Sequence, residues 1–218
     1  ILIEGKWRFR IYDHGQGYQN GRMRDFNEKI PYIVGVDPAS GGGGDNFAVV
    51  IVNPYTLQVA AEFKSPYMGQ TQAVKMLIKL VEYIPNCCIV IEKNSMGIYL
   101  IQYIVDNTSI KENLYWSEKE ADKQLADLVN ESAEDYELKS LAAQYKKYGT
   151  YNTPKVRKGM LEILFRHIEE CKEILNTEYL VDDICKLVRT ASGKIVAGNG
   201  EHDDVLFAYL HAMNIYYN

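Results

Sequence analysis

Residues 31–45 read Pro31-Tyr-Ile-Val-Gly-Val-Asp37-Pro-Ala-Ser-Gly-Gly-Gly-Gly44-Asp45. The apolar run, bounded by Pro and Gly, predicts a buried strand with Asp37 at its end. The glycine loop that follows carries few side chains, so it leaves room for a metal ion and a phosphate backbone beside that carboxylate. Two more strands are predicted over 47–52 and 57–63, joined by turn residues at 53–56. The decisive feature is a short run of strands, the first of which ends in a carboxylate.

The rest of the chain alternates helical and strand patterns. The predicted elements after residue 63 are a helix over 70–83, a strand over 87–91 that ends at Glu92, a helix over 96–105 capped by Ser95, a strand over 113–116, a charged helical insertion over 117–147, a helix from Thr153-Pro154 to about Glu170, a β-hairpin formed by 185–189 and 194–197, and a final helix over 203–216. This order predicts an α/β fold.

The composition indicates one α/β domain. Its 218 residues are 47% hydrophobic, which is enough for a sizeable core. The formal net charge of −5 argues against a general nucleic-acid coat, but it allows local contact with DNA beside a metal site. Because the sequence has no run of 18 apolar residues, no membrane span is indicated.

The cysteines do not have the spacing of a metal site, because no CxxC pair is present. They are Cys87, Cys88, Cys171 and Cys185. We expect reduced, buried thiols in an intracellular protein, and no zinc site.

Carboxylates stand at three points where predicted strands end or a helix begins: Asp37, Glu92 and the pair Asp203-Asp204. In open α/β sheets, sites form at such points. If the strands that end at Asp37 and Glu92 are neighbours, the two carboxylates lie side by side. A final helix packed across the sheet would bring Asp204 to the same place, since small residues such as Ala208 follow it on one face.

Such a cluster of carboxylates has a chemical purpose. The charges repel one another and are costly unless a divalent ion neutralises them. Two Mg²⁺ or Mn²⁺ ions about 4 Å apart can activate a water and stabilise the leaving oxygen of a phosphodiester. These ions prefer oxygen ligands, which is what Asp and Glu offer.

Each position also has a simpler interpretation. Asp37 could be a turn residue after a strand, and Glu92 an exposed strand end. Asp203 could be the N-cap of the last helix, where Asp is common, and Asp204 would gain from the helix dipole. His202 could be a surface residue or one that orients a ligand.

Four stretches carry a family resemblance. They are Tyr32-Ile-Val-Gly-Val-Asp-Pro-Ala-Ser-Gly41, Ile89-Val-Ile-Glu-Lys-Asn-Ser-Met-Gly97, Tyr148-Gly-Thr-Tyr-Asn-Thr-Pro-Lys-Val-Arg-Lys158 and Gly200-Glu-His-Asp-Asp-Val-Leu-Phe-Ala208. With this spacing the chain resembles the nuclease domain of the large terminase subunit, the DNA-packaging motor protein of tailed bacteriophages and herpesviruses. The stretches match, in order, the family's strand with the catalytic Asp, its strand with the catalytic Glu, a basic stretch before a helix and the terminal His-Asp-Asp motif. The last of these is the most specific.

The resemblance implies a ribonuclease-H-like mixed sheet, with three antiparallel strands and then parallel strands, flanked by helices and with a β-hairpin before the last helix. It implies a metal-dependent endonuclease that cuts concatemeric double-stranded viral DNA at the start and end of genome packaging, using two Mg²⁺ or Mn²⁺ ions. The catalytic and metal-binding residues would be Asp37, Glu92, Asp204 and Asp203, with His202 and Asn94 orienting them. Which of the two neighbouring aspartates points inward is left open.

The same resemblance divides the chain into a linker over 1–30, from an N-terminal ATPase domain, and a nuclease domain over 31–218. No G-x-x-x-x-G-K-[ST] loop occurs, so we expect no ATP site in this part. The expected partners are double-stranded DNA, the terminase ATPase domain, the small terminase subunit and the portal protein, and no membrane. The expected location is the host cell cytoplasm, with a transient stay at the procapsid portal during packaging.

Basic residues near the predicted site are candidates for phosphate contact, since Lys and Arg neutralise DNA with little sequence preference. The candidate DNA-binding residues are Lys93, Lys155, Arg157, Lys158, Lys186, Arg189 and Lys194.

Three other classes remain open. A Holliday-junction resolvase or a transposase shares the fold and the carboxylates, so it would differ in its substrate. An actin-like or sugar-kinase ATPase also begins with a strand, an Asp and a glycine-rich loop, but it needs a second similar half. The third class is an interaction domain without catalytic activity. ATP binding would separate the ATPase from the nucleases, and metal-dependent nicking of DNA would separate a nuclease from the interaction domain.

Overall fold

The computed structural model describes residues 2–3, 7–12, 26–27, 29–39, 41–117, 140, 143–170 and 175–217. At the N-terminal end, β1 (Leu2–Ile3) pairs with β2 (Trp7–Arg8), and β3 (Arg10–Ile11) joins the edge of the central sheet. Trp7 and Phe9 are buried against the core. These contacts tie residues 7–11 to the sheet, while the division of the chain into linker and nuclease domain stays a prediction.

The central sheet has five strands in the order β3-β6-β5-β4-β7. Its main strands are β4 (Ile33–Asp37), β5 (Phe47–Val52), β6 (Val59–Ser65) and β7 (Cys88–Ile91). β4, β5 and β6 pair antiparallel, whereas β7 lies parallel to β4. In the described residues, the parallel order continues as isolated bridges from Ile89 to Leu114 and from Glu92 to Thr150. The predicted mixed sheet is confirmed.

Five helices and a hairpin complete the described fold. They are α1 (Gln70–Tyr83), α2 (Ser95–Asn107), α3 (Pro154–Glu170), α4 (Glu178–Cys185), the hairpin strands β8 (Leu187–Arg189) and β9 (Ile195–Ala197), and α5 (Asp204–Tyr217). α1, α3, α5 and the hairpin before the last helix agree with the prediction. None of the helices in the described residues combines the length and the apolar character that crossing a membrane requires.

Several predicted details are wrong. The N-cap of α2 is Asn94, whose side chain accepts a hydrogen bond from the Gly97 amide, and not Ser95. A 3-10 helix over Ser109–Asn113 and isolated bridges replace the predicted strand over 113–116. α4 was not predicted, and Cys185 at its end is exposed and not buried. Most of the charged insertion, residues 118–139 and 141–142, lies outside the described residues.

The sheet is covered on both faces, as the alternation of side chains along its strands requires. Val34 and Val36 of β4 belong to the core with α1 and α2, and Ile33 belongs to the core with α5. α5 crosses β4 so closely that a Cβ atom at Gly35 would lie 1.8 Å from the Ala208 carbonyl oxygen. The predicted close approach of the small face of α5 is therefore confirmed, and it brings the start of α5 to the end of β4.

Candidate metal centre

Asp37 and Glu92 lie side by side, because β4 and β7 are parallel neighbours that end together. The Glu92 amide donates to the Val36 carbonyl 3.0 Å away, and Val36 is paired with Ile91, so Asp37 and Glu92 follow paired residues at the ends of the two strands. Burial raises the pKa of Asp37 well above its usual value, and the negative charges of Glu92, Asp204 and Asp203 raise it further. Without a cation, this cluster holds a proton on Asp37 at pH values where an ordinary Asp is ionised.

Glu92 is also held by polar groups other than Asp37. His211 Nε2 lies 3.4 Å from Glu92 Oε2, and His211 Nδ1 lies 2.7 Å from the Thr150 hydroxyl oxygen. Asn152 also hydrogen-bonds the Glu92 carboxylate. Burial alone would raise the pKa of Glu92, but His211, the Asp37 carboxyl and Asn152 together bring it below the usual value. Glu92 is therefore the ionised member of the carboxyl pair.

His211 was missed by the sequence reasoning. It is fully buried on α5, seven positions after Asp204 and therefore close to the same face of the helix. A histidine inside an otherwise apolar helix, two turns from a suspected metal ligand, is the sequence signal that could have found it.

Asp204 faces the glycine loop. Its Oδ2 atom accepts hydrogen bonds from the Asn46 amide at 3.1 Å and the Asn46 side chain at 2.8 Å. One ligand atom each from Asp45, His202 and Asp204 lies within 4.8 Å of the others. Burial raises the pKa of Asp204, although the hydrogen bonds from Asn46 oppose this shift. Asp45 and Asn46 were not among the predicted site residues, although the quoted glycine loop ends beside them.

Asp203 points to a different partner. Its carboxylate forms an ion pair with Arg157, whose guanidinium also stacks 3.7 Å from the centroid of the Phe207 ring. Arg157, predicted to bind DNA, therefore bridges α3 and α5 in this structure. The negative charge of Asp203 still raises the pKa of Asp37, and that of Asp204 raises it more.

The residues of the cluster fit a divalent cation. The groups that converge are carboxylates, which Mg²⁺ and Mn²⁺ prefer. One buried polar atom beside Glu92, Asn152 Oδ1, has no hydrogen-bond partner among the described residues. Buried polar atoms are normally satisfied, so this atom indicates that water or a hydrated ion belongs in the cluster.

The other predicted residues are spread around the centre. Asn94 joins the loop after Asp37 to α2, since its side chain donates to the Pro38 carbonyl at 2.9 Å. Lys93 is buried, and its ammonium group binds the Lys146 carbonyl and lies over the Tyr151 ring, so it is not at the surface where a phosphate would lie.

The remaining basic candidates are on α3 and the hairpin. Lys155 and Lys158 are exposed on α3, and Lys158 lies 3.7 Å from Glu162. On the hairpin, Arg189 and Lys194 are exposed, whereas Lys186 is paired with two acidic side chains. The structure thus leaves four of the seven candidates at the surface.

Comparisons with known proteins bear on the fold. No family model and no curated protein sequence matches the chain. Among solved structures, the large terminase nuclease of thermophilic phage G20c with bound magnesium is similar, with a TM-score of 0.53, 15% identity, and coverage of 87% of this chain and 84% of that one. The same nuclease with bound cobalt has a TM-score of 0.51 at 17% identity and the same coverage.

A second phage protein gives the same result. The large terminase nuclease domain of Thermus phage P74-26 has a TM-score of 0.51 and 16% identity, with coverage of 89% of this chain and 84% of that one. At this low identity the likeness concerns the fold. The resemblance read from the sequence is confirmed at that level: the chain has the fold of the large terminase nuclease domains.

Proposed function

We propose that this protein is a metal-dependent endonuclease that cuts double-stranded DNA during viral genome packaging. The observation that carries the proposal is the convergence of Asp37, Glu92 and Asp204 where β4 and β7 end and α5 begins, in a fold shared with terminase nuclease domains. A protein with a purely structural role gains nothing from holding three carboxylates together, since their mutual repulsion is costly.

The donor groups suggest two ion positions. Asp37 and Glu92 belong to one group, Asp45 and His202 belong to the other, and Asp204 acts on both. Bound Mg²⁺ or Mn²⁺ would supply Lewis acidity toward the phosphate and a more acidic water. The need for a cation follows from charge: ionised Asp37 beside ionised Glu92 is strongly disfavoured without one.

The protein's own residues prepare the carboxylates for this role. His211 and Asn152 hold Glu92 in its ionised form, and the two hydrogen bonds from Asn46 fix the orientation of Asp204. Such outer contacts orient ligands and are important to metal affinity. Asp37 must lose its proton before it can act as a full ligand, so proton release accompanies binding of the cation.

The DNA would lie across exposed basic residues around the centre. Lys155 and Lys158 at the start of α3, and Arg189 and Lys194 on the hairpin, are the exposed candidates for contact with phosphates. The terminase fold further suggests an ATPase domain, a small terminase subunit and a portal protein as partners. The corresponding location is the host cell cytoplasm, with assembly at the procapsid portal during packaging.

A cleavage assay with three DNA forms tests this proposal. The purified chain is incubated with Mn²⁺ or Mg²⁺ and supercoiled plasmid, linear duplex or a four-way junction, with Asp204→Asn and an EDTA sample as controls. We expect metal-dependent cuts in the plasmid and the duplex that Asp204→Asn abolishes. Cleavage confined to the junction would instead identify a resolvase, and ATP binding without cleavage would identify an ATPase.

A further inference from the structure

A buried carboxylate that belongs to neither proposed ion group, that of Asp183, lies against the first turn of α5. Asp183 on α4 is 1% exposed, and its Oδ2 atom accepts hydrogen bonds from the amides of Val205 at 2.9 Å and Leu206 at 3.2 Å. These amides are in the first turn of α5, directly after Asp204. One carboxylate thus satisfies two of the donors that a helix start leaves free.

This cap comes from an unusual place. The residue just before a helix normally caps the second and third helical amides with its own side chain. For α5 that residue is Asp203, whose carboxylate is bound by Arg157 instead. The capping group is supplied across 22 positions by another helix, so neither Asp203 nor Asp204 is needed for it.

α4 is itself fixed to the sheet at its two ends. At its start, the Tyr179 amide and the Thr177 hydroxyl donate to the buried carboxylate of Glu62 on β6, at 3.1 and 2.8 Å. Further along, Lys64 on the same strand lies 3.9 Å from Asp183 Oδ1. α4 therefore connects β6 to the first turn of α5, so the place of that turn depends on the place of β6.

From this geometry we propose that Asp183 is a positioning residue for the metal centre: by binding the Val205 and Leu206 amides, it fixes the first turn of α5 and so places Asp203 and Asp204. The effect of Asp183 on DNA cleavage rests on the proposed function, whereas its effect on metal affinity does not. A capping contact that served only the stability of α5 would leave metal affinity unchanged in the folded protein. A contact that places the ligands changes metal affinity, because ligand placement within about 0.5 Å decides it.

The test compares Asp183→Ala and Asp183→Asn with the matched control Asp182→Ala. Asp182 is the neighbouring residue on α4, is exposed, and pairs with Lys186. Asn keeps an oxygen that can accept from both amides, whereas Ala does not. Three quantities are measured on folded protein: Mn²⁺ affinity by calorimetry, hydrogen exchange at Val205 and Leu206, and kcat and KM for DNA cleavage.

For Asp183→Ala we expect Mn²⁺ affinity to fall about 10- to 100-fold and the two amides to lose about tenfold protection. The turnover number should fall with KM for DNA unchanged, and Asp183→Asn should restore affinity to within about threefold of wild type. Wild-type affinity in folded Asp183→Ala, or an equal loss in Asp182→Ala, would overturn the proposal. If Ala leaves the chain unfolded, Asp183→Leu preserves the buried volume and is judged by the same criteria.

The outcome separates this inference from the proposed function. If wild type does not cut DNA, the proposed function fails, while Mn²⁺ affinity and amide exchange in the variants still decide the role of Asp183. If wild type cuts DNA and Asp183→Ala cuts and binds Mn²⁺ equally well, the nuclease stands and the positioning role fails.

Discussion

Gly35→Ala should damage both the stability and the site, because α5 lies directly on β4. The new Cβ would be 1.8 Å from the Ala208 carbonyl oxygen and 3.2 Å from the Ala212 Cβ, whereas real contacts of this kind are at least 3.0 Å. The helix must therefore move by about 1.2 Å relative to the strand. Backbone atoms on both sides leave no flexible side chain to absorb the displacement.

The expected cost follows from that displacement. Overpacking of a core costs about 1–3 kcal/mol, and a loss of about 2 kcal/mol lowers Tm by about 4–8 °C in a domain of this size. Asp204 lies one turn before Ala208, so a shift of α5 also moves Asp204 away from Asp37. A misplacement of about 1 Å can reduce the rate about 100-fold, measured as plasmid nicking at a temperature where the variant is folded.

Gly159→Ala is the matched control for Gly35→Ala. Gly159 lies inside α3, and a Cβ there meets nothing within 4 Å. The same substitution should therefore stabilise the protein by about 0.5–1 kcal/mol and leave cleavage unchanged. If Gly35→Ala matched wild type in urea unfolding and in nicking rate, the close contact between β4 and α5 would be refuted as the origin of the site geometry.

Three further predictions address the centre and its surroundings. His211→Ala should weaken Mn²⁺ binding about 10- to 100-fold, measured by calorimetry, because the Glu92 carboxylate loses the side chain that orients it. Unchanged Mn²⁺ affinity would exclude this role of His211. Burial raises the pKa of Asp183 to about 6 from 3.8, despite the nearby ammonium group and amide donors. The stability that its protonated form confers is present below pH 3.8 and is lost as pH rises through 6, so wild type should lose up to about 3 kcal/mol relative to Asp183→Asn by pH 7.5, measured by urea unfolding; a constant difference would contradict the buried charge. Replacing Arg189 and Lys194 by Ala should reduce the slope of log DNA affinity against log salt concentration by up to about two, which corresponds to about two phosphate contacts, whereas Lys79→Ala on α1 should leave the slope unchanged. An unchanged slope in the hairpin variant would show that the hairpin does not contact DNA.

The strand-end carboxylates could be predicted from the sequence because local rules determine them. An apolar run that stops at an Asp or Glu places that residue at the carboxyl end of a strand, where α/β sheets form their sites. The small residues after Asp204 allow the last helix to approach the sheet. Asp37, Glu92 and Asp204 therefore come together as expected.

The groups that hold these carboxylates could not be predicted in the same way, since they depend on contacts between distant parts of the chain. Arg157, near the start of α3, was predicted to contact a phosphate of DNA. Its side chain instead pairs with Asp203, which is 46 positions away in the sequence. Asp183 lies in a helix of only eight residues, and its role appears only once α4 meets α5. Pairing across the fold, and not residue type, decides what these side chains do.

The measurement that tests the central claim most directly is cleavage of supercoiled plasmid by the purified chain in Mn²⁺, beside Asp37→Asn and an EDTA sample. The proposed metal centre predicts nicked and then linear DNA with wild type, and intact supercoiled DNA with either control. Intact DNA with wild type at high enzyme concentration, or equal cleavage by Asp37→Asn, would contradict the assignment of this cluster as a nuclease centre.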